Sequence, residues 1–117
     1  MEYVSNDTNI TDAILISIIN ANPLIKTIKL SGCSNITDIS LIAISKKCKK
    51  LEDITINGCD AFTDDGIGEL AWGCRLLERV DFRKCENINS YMFAIFNNYC
   101  PKLDYFLNNN SVWPREI

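Results

Sequence analysis

At 117 residues, 47% of them apolar, the chain fits one domain with a real core, and is neither a disordered segment nor two domains of ordinary size. A net charge of −3 argues against a bulk electrostatic grip on nucleic acid, and no stretch approaches the roughly 18 apolar residues of a membrane span. The absence of histidine removes Ser-His-Asp and Cys-His catalysis, and any His-ligated metal, from the chain.

In chain order, residues 1–9 read as a lead-in with no basic or Arg-rich signal character, so a cytoplasmic or nuclear location is expected. Residues 10–109 then repeat. Six cysteines fall at Cys33, Cys48, Cys59, Cys74, Cys85 and Cys100, with gaps alternating between 15 and 11, and the sum, 26, is the period of the apolar columns too. The strand half of each unit carries Ile25, Leu51, Leu77 and Leu103, then Ile28, Ile54, Val80 and Phe106, then Leu30, Ile56 and Phe82, then Cys33, Cys59 and Cys85. That is L-x-x-L-x-L-x-x-C, the strand signature of a leucine-rich repeat. The helix half carries Ile10, Ile36, Phe62 and Ile88, then Leu15, Leu41, Ile67 and Phe93, then Ile18, Ile44, Leu70 and Phe96, closed by Cys48, Cys74 and Cys100.

The two spacings dictate two elements. Apolar residues two apart turn one face of a short strand into a core, and apolar residues three to four apart lay one stripe of a helix against it. Thr11-Asp12, Thr37-Asp38 and Thr63-Asp64 precede three helices, and Asn89-Ser90 the fourth; these residues can cap the helix, and Asp suits the positive end of its dipole. Strands recurring every 26 residues with one helix between them must run parallel. The expected fold is an α/β leucine-rich repeat solenoid, a right-handed βα superhelix of about four repeats with parallel strands concave and helices convex. Residues 110–117, with Trp113, read as a C-terminal cap. Without a C-x-x-C pair or an export signal, the cysteines read as six reduced, buried thiols, with no metal and no cofactor.

The unit, with Gly32-Cys33 and Gly58-Cys59 after the strand, Thr-Asp before the helix and Cys at its end, resembles the cysteine-containing repeats of F-box/LRR proteins. It is similar also to the antagonist-of-mitotic-exit type, which carries the same repeats. The resemblance covers about residues 9 to 109 and departs from the pattern at Asn22, Asn108 and Ser111. It implies the substrate-binding half of such a protein without its F-box, since the repeats begin near Met1.

The resemblance and the missing chemistry together imply a non-catalytic protein-interaction scaffold, linked by resemblance to ubiquitin-ligase pathways. The alternative is an assembly factor that docks through the ends of its solenoid. The expected partner is another protein, with no nucleic acid, membrane or metal. Because strands alternate faces, a partner on the concave face would meet Thr27, Lys29 and Ser31, then Asp53, Thr55 and Asn57, then Arg79, Asp81 and Arg83, then Tyr105, Leu107 and Asn109. The same residues can be a merely solvated face with Asp53 paired to Arg79. Four strands spaced about 4.8 Å apart give a few hundred Å², below the roughly 800 Å² per partner of a standard interface. Trp72 sits in a helix column otherwise held by Asn20, Lys46 and Asn98; it reads equally as a convex-face anchor or as an indole lying over its neighbours. The run Lys46, Lys47, Lys49, Lys50 suits a helix C-terminus better than a phosphate or import site. Gly66 and Gly68, inside a helix pattern, read as local weakening or close packing.

Overall fold

The computed structural model describes residues 2–85, 91–107 and 112–113. The elements alternate: β1 (Glu2–Ser5), α1 (Asp12–Ala21), β2 (Thr27–Ser31), α2 (Asp38–Lys47), β3 (Asp53–Asn57), α3 (Asp64–Gly73), β4 (Arg79–Asp81), α4 (Met92–Tyr99), β5 (Tyr105–Leu107) and β6 (Val112–Trp113). Strands β1 to β5 are parallel neighbours in sequence order, and β6 adds antiparallel to β5. The chain is therefore a repeating βα unit in which a parallel sheet is flanked by helices.

One apolar cluster joins the two layers. Ile28, Leu30, Ile54, Ile56, Val80 and Phe106 from the strands meet Leu15, Leu41, Ile44, Ile67, Leu70 and Phe96 from the helices, all of them buried. Aromatic rings thicken the core toward its C-terminal end, where Phe82, Phe96 and Phe106 pack with centroids 6.3 and 5.5 Å apart. Such contacts add modestly to the area they bury.

The helices begin and end as their sequence dictates. Thr11 Oγ1 accepts from the Ile14 N–H at 3.3 Å, and Thr37 Oγ1 accepts from the Ile39 N–H at 3.2 Å. The helix-end cysteines hand the chain on: each of Cys48, Cys74 and Cys100 donates its N–H four residues back and accepts from Leu51, Leu77 or Leu103. Lys49 Nζ donates to Ser45 O at 2.7 Å and to Gly73 O at 3.0 Å, so one cation caps the carbonyl ends of α2 and α3 together. After the strand, Gly32 and Gly58 turn the chain at positive φ; Lys84 takes the same left-handed place in the third repeat, at φ 62°.

The aspartates after the capping threonines do more than face their own dipole. Asp12 accepts from the N–H of Thr37 at 2.9 Å and from its hydroxyl at 2.7 Å, and also from the Ser40 hydroxyl. Asp38 repeats this on Thr63. Each acid thus fastens the start of the next helix; Thr37 donates its hydroxyl to Asp12 and still caps α2, whereas Thr63 makes the bond to Asp38 with no side-chain cap on α3.

Three features depart from the expected layout. The lead-in contains β1, which the period does not announce because Tyr3 pairs with Ile28, an offset of 25 residues. The sheet gains β6, so among the described residues it has six strands instead of four. In α1 the fully buried residues are Leu15 and Ile19, while Ile18 is only half-buried. Ile88, Asn89-Ser90, Asn108, Asn109 and Ser111 lie outside the described residues, as does the side chain of Trp113.

Candidate functional site

The open face of the sheet, opposite the helices, carries the alternate residues of each strand. The register places Thr27, Asp53, Arg79 and Tyr105 in one row and Lys29, Thr55, Asp81 and Leu107 in the next. Ser31 and Asn57 pair at the ends of β2 and β3.

Arg79 is the centre of the first row. Its Nε lies 3.8 Å from Asp53 Oδ2, and its guanidinium carbon lies 4.1 Å over the Tyr105 ring. The side chain is still 54% exposed. A guanidinium lying on an aromatic face and steered by a carboxylate is held in one orientation at little rotamer cost, with donors left over for a ligand. The exposed ion pair alone contributes little to stability.

Asp81 behaves differently from its row. It is buried, and Arg83 forks onto it with Nε to Oδ1 at 3.2 Å and a terminal nitrogen to Oδ2 at 2.9 Å, while the Arg83 N–H donates to Oδ1 at 3.1 Å. The strand ends at Asp81, so Arg83 belongs to the turn after β4 and its charge is committed to closing that turn. Asp81 is thereby withdrawn from the surface that simple alternation assigns to it. Asn57, Arg83 and Lys84 line a cavity of about 210 Å³ at the exits of β3 and β4, and the buried Asn57 Oδ1 accepts no hydrogen bond from the described residues.

On the helix layer, Trp72 is 55% exposed. Its ring meets Tyr99 edge-on with centroids 5.2 Å apart, and Arg75 stacks 4.4 Å over it. Both readings of this residue have a footing: the indole packs on neighbours of α3 and α4, and much of it still meets solvent.

The cysteines form two buried columns of free thiols. In one, Cys59 Sγ donates to Cys33 O at 3.2 Å and Cys85 Sγ to Ile56 O at 3.4 Å. In the other, Cys74 Sγ donates to Cys48 O at 3.5 Å and Cys100 Sγ to Cys74 O at 3.4 Å. Burial pushes the Cys59 and Cys74 thiols up to about 12, and Cys48 and Cys100 to about 11. Thiols held so far from ionisation are poor nucleophiles and poor metal ligands. Among the described residues no cluster of acidic or thiol side chains could hold a metal ion, and no helix is long and apolar enough to cross a membrane.

The chain matches no protein-family model and no curated protein.

Proposed function

We propose that this chain is a cysteine-containing leucine-rich repeat domain that binds another protein through the open face of its sheet and carries out no chemistry of its own. The left-handed turns at Gly32 and Gly58, the buried cysteines closing strand and helix, and the Thr-Asp helix starts support the repeat type. The observation that carries the binding reading is Arg79, oriented between Asp53 and Tyr105 yet more than half exposed. Planar cations and aromatics are the residues that dominate protein interfaces. By its resemblance to F-box/LRR proteins, the domain would capture a substrate or regulator in a ubiquitin-ligase pathway, in the cytoplasm or nucleus.

Affinity capture from cells with three versions of the chain tests the reading. The wild-type and Trp72→Ala chains should recover the same partner, and Arg79→Ala combined with Tyr105→Ala should lose it. Loss with Trp72→Ala and retention with the double variant would move the site to the helix layer. Ligase components among the recovered proteins would support the pathway; a single unrelated assembly would not.

A further inference from the structure

Charge is sorted along the sides of the repeat stack. Segments 20–24, 46–50, 72–76 and 98–102, each the last two residues of a helix and the three that follow, lie along one edge. They hold Lys46, Lys47, Lys49, Lys50, Arg75 and Lys102, six of the chain's twelve Lys and Arg, and no Asp or Glu. All six are exposed, and among the described residues none forms an ion pair. Glu52, Glu78 and Asp104 follow only where the chain has joined the sheet, each donating its N–H to the repeat before. Asp7, Asp12, Asp38, Asp60 and Asp64 lie along the opposite edge, where strands hand over to helices. A chain of net charge −3 thus carries one long positive side. Cations suit helix C-termini, and Lys49 does cap α2 and α3. Capping does not require the rest, since α1, α3 and α4 end with no basic residue in the last turn.

The same edge contains a cleft. Lys49, Trp72, Gly73, Arg75 and Leu76 line an opening of about 380 Å³. Trp72, 55% exposed, and the half-buried Leu76 make it partly apolar. The indole is held in place: Tyr99 meets it edge-on at 5.2 Å, and Arg75 lies 4.4 Å over its ring. Arg75 is held in turn, its Nε donating to Trp72 O at 3.2 Å, which leaves its terminal nitrogens to a ligand.

We propose that this edge binds an acidic segment of another protein, with one apolar side chain of the segment seated in the cleft beside Trp72. Carboxylates on either side of that residue would meet Arg75 within the cleft and Lys46 and Lys50 next to it. Charge complementarity of this kind steers association and fixes register, and a planar aromatic beside an arginine is a favoured anchor. An anionic lipid surface would ask for an indole free to enter the interface, whereas Trp72 is packed on Tyr99 and covered by Arg75. The edge runs along the side of the stack, so repeats added at either end would lengthen it and cover none of it. It is separate from the open face, and the inference stands whether or not that face binds a partner.

Fluorescence polarisation with short labelled peptides, random in Asp and Glu around one central Phe, tests it on the intact chain. Binding should saturate and weaken as salt rises. Lys46→Glu combined with Lys50→Glu, both exposed and outside the capping bonds, should raise Kd by more than about tenfold. Trp72→Ala should raise it by about tenfold, and Trp72→Phe, which keeps a ring on Tyr99, by less. No saturable binding, equal affinity for peptides with Ser in place of Phe, or full retention by the lysine and Trp72→Ala variants would each overturn the proposal. Loss with Arg79→Ala combined with Tyr105→Ala would overturn it by placing the peptide on the open face. Binding to phosphatidylserine vesicles that needs Trp72, without binding to the peptides, would overturn it in favour of a membrane.

Discussion

Asp12 and Thr37 lie 25 residues apart in sequence and are joined twice, the acid accepting from both the backbone N–H and the hydroxyl of the threonine. Burial pushes the Asp12 pKa up, but hydrogen bonds from Ser40 and Thr37 together outweigh it and hold the group below its ordinary value of 3.8. Asp12→Ala should cost about 2 kcal/mol at neutral pH, since it strands polar groups of the next helix start. Asp65→Ala, on an exposed position of α3, should stay within about 0.5 kcal/mol. A carboxylate with a depressed folded pKa stabilises above 3.8 and loses that contribution as pH falls through the folded value. Urea titrations should therefore show an acid-side loss in wild type that Asp12→Ala reduces.

Gly66 and Gly68 occupy the same helix and should respond to alanine with opposite signs. A Cβ on Gly66 would collide with the Asp38 carboxylate and come within 2.8 Å of its Cβ, whereas a Cβ on Gly68 meets nothing within 4 Å. Gly68→Ala should stabilise by about 0.5–1 kcal/mol through helix propensity. Gly66→Ala should destabilise, because the acid it displaces is the one that fastens Thr63. Thermal melts of the two variants give the answer, and equal shifts would contradict the packing described.

Ile54 and Thr55 are adjacent in β3 and point to opposite sides of the sheet. Ile54 is fully buried, while Thr55 stays half-exposed on the open face beside Asp53. Truncating Ile54 to Ala should cost about 2–5 kcal/mol. Truncating Thr55 to Ala should cost no more than about 0.5 kcal/mol. Denaturation midpoints that move equally would mean the strand is turned over.

The thiol columns give the fold a stability that depends on alkaline pH. With the Cys59 and Cys74 thiols pushed up to about 12 from an ordinary 9.0, the unfolded chain releases those protons first. Their stabilising contribution is complete below pH 9.0 and drains away as pH rises toward about 12. The urea midpoint should fall across that window, and less so in Cys74→Val. At neutral pH a thiol-specific reagent should label the cysteines only as fast as the chain opens; a cysteine labelled within mixing time would refute their burial.

The open-face row from Asp53 through Arg79 to Tyr105 was legible in the sequence because a constant period fixes strand register, and side chains opposite one another follow from it. The period failed where the spacing changed. By a 26-residue count Glu2 and Val4 fall in the core columns, yet the strand is set by 25, so Tyr3 faces inward and Val4 is exposed. Asp81 was beyond alternation because its burial depends on the length of Arg83 and its reach back from the turn. The reach of Asp12 and Asp38 into the next repeat was hidden for a related reason: Thr-Asp satisfies a local capping rule, and nothing local shows that the acid is spent elsewhere. Trp72 was open in the sequence, and the stack with Arg75 and Tyr99 now gives its ring a place without covering it.

The aspartate bonds also limit how such a chain can change length. Each acid finds its threonine only because 25 residues separate them, from Asp12 to Thr37 and from Asp38 to Thr63. Inserting or deleting one residue between them would leave a carboxylate facing the wrong backbone, whereas adding or removing a whole 26-residue unit of the same pattern would return Asp12 and Asp38 to a waiting threonine. The bond acts as a ruler, and a lineage carrying it can grow or shrink in whole steps while fractional steps are penalised at the joints that have it.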